Sequence, residues 1–431
     1  MTTAFTIDIS VLDAAPRHWE RRPLWTILQR RENSNHPQEQ LLSVYRDHGI
    51  VPKSTRDDNY NKPSEDLSAY LLVEPGDLVL NKMKTWQGSL AVSKYRGIVS
   101  PAYYVCKLTG EVYSRYIHHI LRSWPYIHIY QSLSKGIRPN QWDLPFDEFR
   151  AIPILLPPLE EQRRIADFLD AETARIDSLL QERDKQRSAL AEREVSIIAS
   201  VLSGGASADT GKSTGWPWLP YIPTDWSVGP VYAYYATDLG KMLNKERSSG
   251  PNKKPYLRNA NIHWYEIDIS DVATMTFEPE DYHRYLLQPG DLLVCEGGAG
   301  IAEAAVWDGR IQECFYQKSL HRVRSISHLP VEWLMYWLKL AKYVGLFTAE
   351  GNIATIPHLT GEQLRSYRIP IPSNGNQLAA RITKQITHIK EIDTSLKRAQ
   401  ELLQERRRAL ITAAVTGEFD VSTASGRGIE D

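Results

Sequence analysis

Apolar and polar positions along this chain follow an order that is laid down twice, at a period near 210 to 217 residues. Such a period is far longer than a solenoid repeat and implies a duplicated domain. Pro16-Arg17-His18-Trp19 is echoed by Pro223-Thr224-Asp225-Trp226, and Val73-Glu74-Pro75-Gly76-Asp77-Leu78-Val79 by Leu287-Gln288-Pro289-Gly290-Asp291-Leu292-Leu293. In each copy a Pro-Gly turn, an Asp and an apolar run predict the start of a strand. Helical apolar spacing follows at Val112 to Leu121 and at Val331 to Leu340, the second behind Pro330. Each half then carries a glycine-marked loop, Ser134-Lys135-Gly136-Ile137 and Glu350-Gly351-Asn352-Ile353, and an exit aligned at Ile152-Pro153-Ile154 and Ile369-Pro370-Ile371.

Both exits lead into a long charged helix. The first, from Glu160 to Leu202, carries Ile165, Phe168, Leu169, Ile176, Leu179, Leu180, Leu190, Ile197, Ile198 and Val201. In the second, Ile382, Ile389, Leu396, Leu403 and Leu410 recur every seventh residue, supported by Ile392, Ala399 and Ala413. A seven-residue apolar stripe between Gln, Glu, Lys and Arg is a coiled-coil seam, and forty residues make a rod of roughly 60 Å. Since both helices lie in one chain, the economical arrangement is an antiparallel pair; the alternative is that each lies on its own domain.

The expected fold class is therefore α/β, in the mixed α+β sense: two tandem globular domains alternating with two long helices, related by a pseudo-two-fold axis. The boundaries are 1–150 for the first domain, 151–204 for the first spacer helix and 205–220 for a linker. They continue with 221–368 for the second domain, 369–420 for the second helix and 421–431 for a loose tail. A two-fold protein reads half-sites whose separation it sets, and related but unequal halves imply two different half-sites.

Composition narrows the class. The chain has 431 residues, 42% hydrophobic and 24% charged, which suits a soluble globular protein. It has neither an apolar run of about 20 residues nor a signal-peptide start, so no membrane is expected and the cytoplasm is. Cys106, Cys295 and Cys314 are too irregular for zinc and too few for a disulfide framework; reduced packing residues are the simplest reading. The net charge is −1, so any nucleic-acid face must gather its basic residues locally.

Pro157-Pro158-Leu159-Glu160-Glu161-Gln162-Arg163-Arg164-Ile165-Ala166 opening a long helix, behind duplicated Pro-Gly-Asp-Leu motifs, resembles the specificity subunit of type I restriction-modification systems. The resemblance runs from Trp19 to Phe419. The second half departs from it, because Ser373-Asn374-Gly375-Asn376-Gln377 replaces the Pro-Pro-Leu-Glu-Glu-Gln run. The resemblance implies two target-recognition domains reading an asymmetric bipartite sequence in double-stranded DNA. It implies helical spacers that dock two copies of a methyltransferase subunit, a further motor and nuclease subunit, and no cofactor or catalysis in this chain.

Enzyme motifs are absent. Gly205 to Ser213 ends like a phosphate-binding loop but has Ala206 where that motif needs glycine, and it follows a helix. Glu296-Gly297-Gly298-Ala299-Gly300 lacks the spacing of a dinucleotide loop and fits a sharp turn or a close backbone approach to DNA. His118 and His119 are adjacent on a helical segment, so a shared metal is not expected.

The DNA-facing candidates are basic and amide residues near loops, interleaved with aromatics. The first half offers Asn81, Lys82, Lys84, Trp86 and Gln87, then Lys135, Arg138 and Asn140. The second offers Lys241, Lys245, Arg247, Lys253, Lys254, Arg258, Asn259 and Asn261, then Gln317, Lys318, His321, Arg322 and Asn352. Lys and Arg bind phosphates, while Arg on guanine and Asn or Gln on adenine read base edges. The rival reading is a coiled-coil protein-interaction scaffold that binds no DNA.

Overall fold

The computed structural model describes residues 12–13, 15–55, 63–136, 142–243, 250, 253–349 and 358–421. The chain divides into two units, Met1–Arg183 with Lys397–Asp431, and Asp184–Leu396. Both have mixed α/β architecture. In the first unit an antiparallel sheet runs in the order Leu28–Arg31, Tyr103–Leu108, Leu78–Asn81, Leu90–Val92. In the second the order is Tyr235–Leu239, Leu320–Ser325, Leu292–Cys295, Ala304–Val306, with the same pairing.

The central strands are apolar at consecutive positions because both of their faces are covered. Leu78 and Leu80 pack with Tyr116, Ile117, Ile120 and Tyr126 of the helices Ser114–Leu121 and Trp124–Leu133. Val79, pointing the other way, joins Leu42, Val44, Ile50 and Val99. Leu292 and Val294 likewise meet the helix Val331–Tyr343, while Leu293 and Cys295 join Leu257, Trp307 and Tyr316.

The repeated Pro-Gly-Asp turn has one geometry in both units. Gly76 and Gly290 have φ of 92° and 93°, a region that glycine enters without strain. Their N–H groups donate to Ser93 and Trp307 carbonyls at 2.8 Å. The Asp77 and Asp291 carboxylates accept the N–H of Glu74 at 2.9 Å and of Gln288 at 2.8 Å, and both are buried. Arg31 pairs with Asp77 at 3.3 Å and Arg324 with Asp291 at 2.5 Å. Burial pushes the Asp77 carboxyl above the usual range, against the pull of the Glu74 N–H and Arg31.

The exit strands correct the alignment of the repeat. Pro153 lies opposite Pro23 in one antiparallel pair and Arg368 opposite Pro230 in the other. Leu24 N–H bonds the Ile152 carbonyl and Val231 N–H the Tyr367 carbonyl. Ile152 is thus the counterpart of Tyr367 rather than Ile369, two residues from the match of the Ile-Pro-Ile runs. Similar composition suggested that match; backbone pairing sets the true one.

The long helices are Leu159–Leu202 and Gly375–Thr416, and each contributes a part to both units. Glu160 and Glu161 in the first turn of the former suit the positive end of its dipole. Within the first unit Ile165, Ala166 and Leu169 pack with Ala414 and Val415, and Asp177 pairs with Arg407 at 3.6 Å. Within the second, Arg187 bonds Asp393 at 2.6 Å and Val195 to Leu202 share a core with Ala379, Ile382 and Ile386. In both, one number falls as the other rises, which is antiparallel pairing. Ile382 and Ile389 are buried, whereas Leu396, Leu403 and Leu410 are half-covered. In the first unit Leu179 and Leu402 keep 38% and 49% exposure.

The segment expected as a linker is folded. Gly211–Ser213 pairs with Tyr221–Pro223, and Leu219 is buried. The Trp216 and Trp218 rings stack at 5.2 Å and 4°, and Trp218 meets Trp337 at 6.0 Å. Two tryptophans supply apolar area that the surrounding Gly, Ser and Thr concealed. At the other end, Phe419 packs on Phe168 at 5.6 Å, and Val421 lies against the first core. The rest of the expected tail, 422–431, lies outside the described residues. The three cysteines are free and buried, and burial pushes each thiol up to about 12. No helix among the described residues is long and apolar enough to cross a membrane.

Candidate nucleic-acid interface

In the first unit, the turn following Leu78–Asn81 is organised by Asn81. Its Oδ1 accepts the Met83 N–H at 3.1 Å, and its carbonyl accepts Thr85 Oγ1 at 2.7 Å. Trp86 donates Nε1 to the Met83 carbonyl at 3.0 Å, and its ring meets Trp142 at 4.9 Å. Two neighbouring loops join this turn: Lys82 N–H donates to Ala102 at 3.0 Å, and Leu144 N–H donates to Lys82 at 3.3 Å. The Lys82 ammonium reaches the Pro101 carbonyl at 2.7 Å and lies over Tyr104. Lys84 and Met83 are exposed, and Gln87 is half-buried. Lys135 exchanges backbone bonds with Asp143 at 3.0 Å, which brings it to the same group of loops, and its ammonium stands 3.4 Å from Glu148. Sequence spacing had separated Lys135 from Lys82; the fold unites them.

The second unit builds a related cluster. Glu296 N–H donates to Ser319 at 2.9 Å and Leu359 N–H to Glu296 at 2.6 Å, repeating the two bonds of Lys82. Asn259 donates Nδ2 to the Gly297 carbonyl at 2.9 Å and its N–H to Ser319 Oγ at 3.3 Å. The Asn259 Oδ1 is buried with no partner among the described residues. Lys318 N–H bonds the Lys241 carbonyl at 2.9 Å, and a Cβ on Gly240 would collide with the Gln317 carbonyl. Glycine is therefore required for that close approach. Asn259, Gln317 and Lys318 come together, with exposed Lys253 earlier on the strand Lys253–Leu257.

Four candidates have structural roles in place of the surface roles expected of them. Lys241 is buried against Asp281 and Phe277. Asn261 is buried, its Oδ1 taking the Arg258 N–H at 3.0 Å and its Nδ2 bonding the Asp268 and Asp271 carbonyls. His321 is buried and bonds the Leu359 carbonyl at 2.7 Å through Nε2; burial pushes its pKa down. Arg322 is buried and pairs with Asp238 at 2.5 Å. Lys254 and Arg258 are partly covered and paired with Glu313 and Asp271. Arg138, Asn140, Lys245, Arg247 and Asn352 lie outside the described residues.

Sequence reasoning passed over Trp142, Ser319 and Glu296. Trp142 adjoins the Lys135 to Asn140 candidates and was a detectable aromatic; Glu296 was hidden by the glycines that follow it. The adjacent histidines His118 and His119 have separate tasks: His118 Nδ1 accepts Val92 N–H at 3.3 Å, and His119 Nε2 meets Asp170 at 2.6 Å. Among the described residues, no group of three or more His, Cys, Asp or Glu is arranged to hold a metal ion.

Residues 236–403, which contain the second cluster, match the family model described as type I restriction modification DNA specificity domain. Over these residues the chain is similar to the specificity subunits of type I restriction-modification systems. It is 28% identical over 188 residues to the EcoKI specificity subunit of Escherichia coli K12, over 42% of this chain and 37% of that one. The match thus spans little more than a third of that relative. The putative MjaX specificity subunit of Methanocaldococcus jannaschii is 21% identical over 375 residues, covering 83% of this chain and 82% of the relative. A solved chain from a study of complex assembly and conformational transition in a type I R-M system has a TM-score of 0.69 at 18% identity. It covers 94% of this chain and 99% of its own length, a likeness of fold.

Proposed function

We propose that the chain is the DNA-reading subunit of a type I restriction-modification enzyme and that its partners perform the chemistry. The observation that carries this reading is one backbone frame built twice, with Lys82 and Glu296 holding the same two backbone bonds while the side chains around them differ. Shared frames with unlike side chains suit an asymmetric target of two dissimilar half-sites. Lys84, Lys253 and Lys318 are exposed, and with the Trp86–Trp142 pair they supply phosphate and stacking contacts beside amides able to read bases. The exposed apolar positions Leu179 and Leu402 offer a seat on the helices for a methyltransferase subunit, and a motor and nuclease subunit joins for cleavage.

Mapping methylated positions in DNA from cells carrying this chain and its partner tests the reading. The expected result is one bipartite, asymmetric motif that disappears when the chain is deleted. A methylome unchanged by the deletion, together with no salt-sensitive duplex binding by the purified complex, would leave a protein-interaction scaffold in its place.

A further inference from the structure

Resting on the DNA-reading proposal, the geometry points to Lys82 and Glu296 as paired specificity-determining residues of opposite sense. We infer that Glu296 accepts a hydrogen bond from an exocyclic amino group, on cytosine or adenine, while Lys82 donates to an acceptor edge in the other half-site.

Each residue directly follows the last position of the central strand, Asn81 or Cys295. Each donates its N–H to a carbonyl of the loop before the adjoining strand, Ala102 or Ser319. Each accepts from a later backbone N–H, Leu144 or Leu359. With N–H and carbonyl fixed alike, the two Cα–Cβ bonds leave equivalent points of the two loop clusters. The side chains they carry are a cation and an anion.

Lys82 has three ammonium donors and uses one on the Pro101 carbonyl at 2.7 Å, so donors remain for guanine O6 or N7. Glu296 is half-buried, and its carboxylate has no hydrogen bond or ion pair among the described residues. His321, which feels it electrostatically, is buried with its pKa pushed down, so at neutral pH it supplies no counter-charge. A free carboxylate among Asn259, Gln317 and Lys318 works against phosphate binding, since like charges repel. Base amino groups are the nucleic-acid donors that a carboxylate accepts from directly, and a charge-assisted bond is stronger than a neutral one.

The test uses full-length chain, purified with the subunits that accompany it from its host, and a pool of duplexes randomised across both half-sites. Bound duplexes are sequenced for wild type, Glu296→Gln and Lys82→Gln. Glu296→Gln should weaken preference for a cytosine- or adenine-bearing pair at one position of one half-site by about tenfold or more. The other half-site should be unchanged, and Lys82→Gln should do the reverse. Thermal unfolding and circular dichroism of each variant establish that the fold is retained. If Glu296→Gln tightens binding to every duplex alike and leaves both profiles intact, the carboxylate only restrains affinity and the inference falls. A wild-type complex that enriches no sequence would instead remove the DNA-reading proposal itself.

Discussion

If the exposed lysines of the two loop clusters contact phosphates, removing them should lower the salt dependence of binding by an amount that can be counted. Lys84, Lys253 and Lys318 are exposed and have no carboxylate partner among the described residues, whereas Lys254 is held by Glu313. Each phosphate neutralised contributes a slope of about 0.9 in log K against log salt. A rise from about 50 to about 200 mM salt therefore weakens binding about 3.5-fold per contact, or about 40-fold for three. The variant in which all three are alanine should bind more weakly at low salt and lose that share of the salt sensitivity, its slope falling by about 2.7. Fluorescence anisotropy of the purified complex on a labelled duplex, titrated at several potassium chloride concentrations, gives both slopes. Lys254→Met serves as the control and should leave the slope unchanged. An unaltered slope in the triple variant, or an equal fall in the control, would refute the assignment of these ammonium groups to phosphates.

Asp291→Asn should destabilise the second unit by about 3 kcal/mol, because it leaves the partly covered Arg324 guanidinium without its close partner. Asp77→Asn should cost the first unit less, since Arg31 stands farther off at 3.3 Å and Asp77 is already pushed toward its neutral form. Hydrogen exchange followed unit by unit measures both. Asp170 is held down to about 2 by His119 and Arg115, although desolvation opposes them. Its folded value lies below the unfolded one, so its stabilising effect is complete above about pH 4 and is lost as pH falls through 2. Near-ultraviolet circular dichroism should show acid unfolding of the first unit in that window, and Asp170→Asn should abolish this component. Cys106, Cys295 and Cys314, buried with thiols near 12, should resist iodoacetamide at pH 8 in the native chain and react in urea. Rapid native labelling of any of the three, read by mass spectrometry, would contradict their packing.

What could be read from sequence was what depends on local order. The Pro-Gly-Asp turns need a positive φ and a short acceptor within a few residues, so Gly76-Asp77 and Gly290-Asp291 announced strands that begin at Leu78 and Leu292. The helices around Ile117 and Trp337 and the two long charged helices declared themselves by period. Pairings between distant positions left no such trace. Nothing local to Lys241 signals Asp281, and nothing beside Arg322 signals Asp238, 84 residues earlier. Basic residues that looked alike along the chain therefore divide into buried ion pairs and exposed charges once the strands meet. The same limit displaced the Ile-Pro-Ile alignment by two residues and hid the tryptophan packing at Trp216 and Trp218. The repeat does carry Lys82 onto Glu296, each six residues past the turn glycines Gly76 and Gly290, although residues of opposite charge do not align by type. Their shared backbone bonds show that this match is structural. For a duplicated reader this is the expected place for the two halves to part: the frame must be kept to hold the loops, while the side chain that leaves it must differ if the two halves are to select different bases.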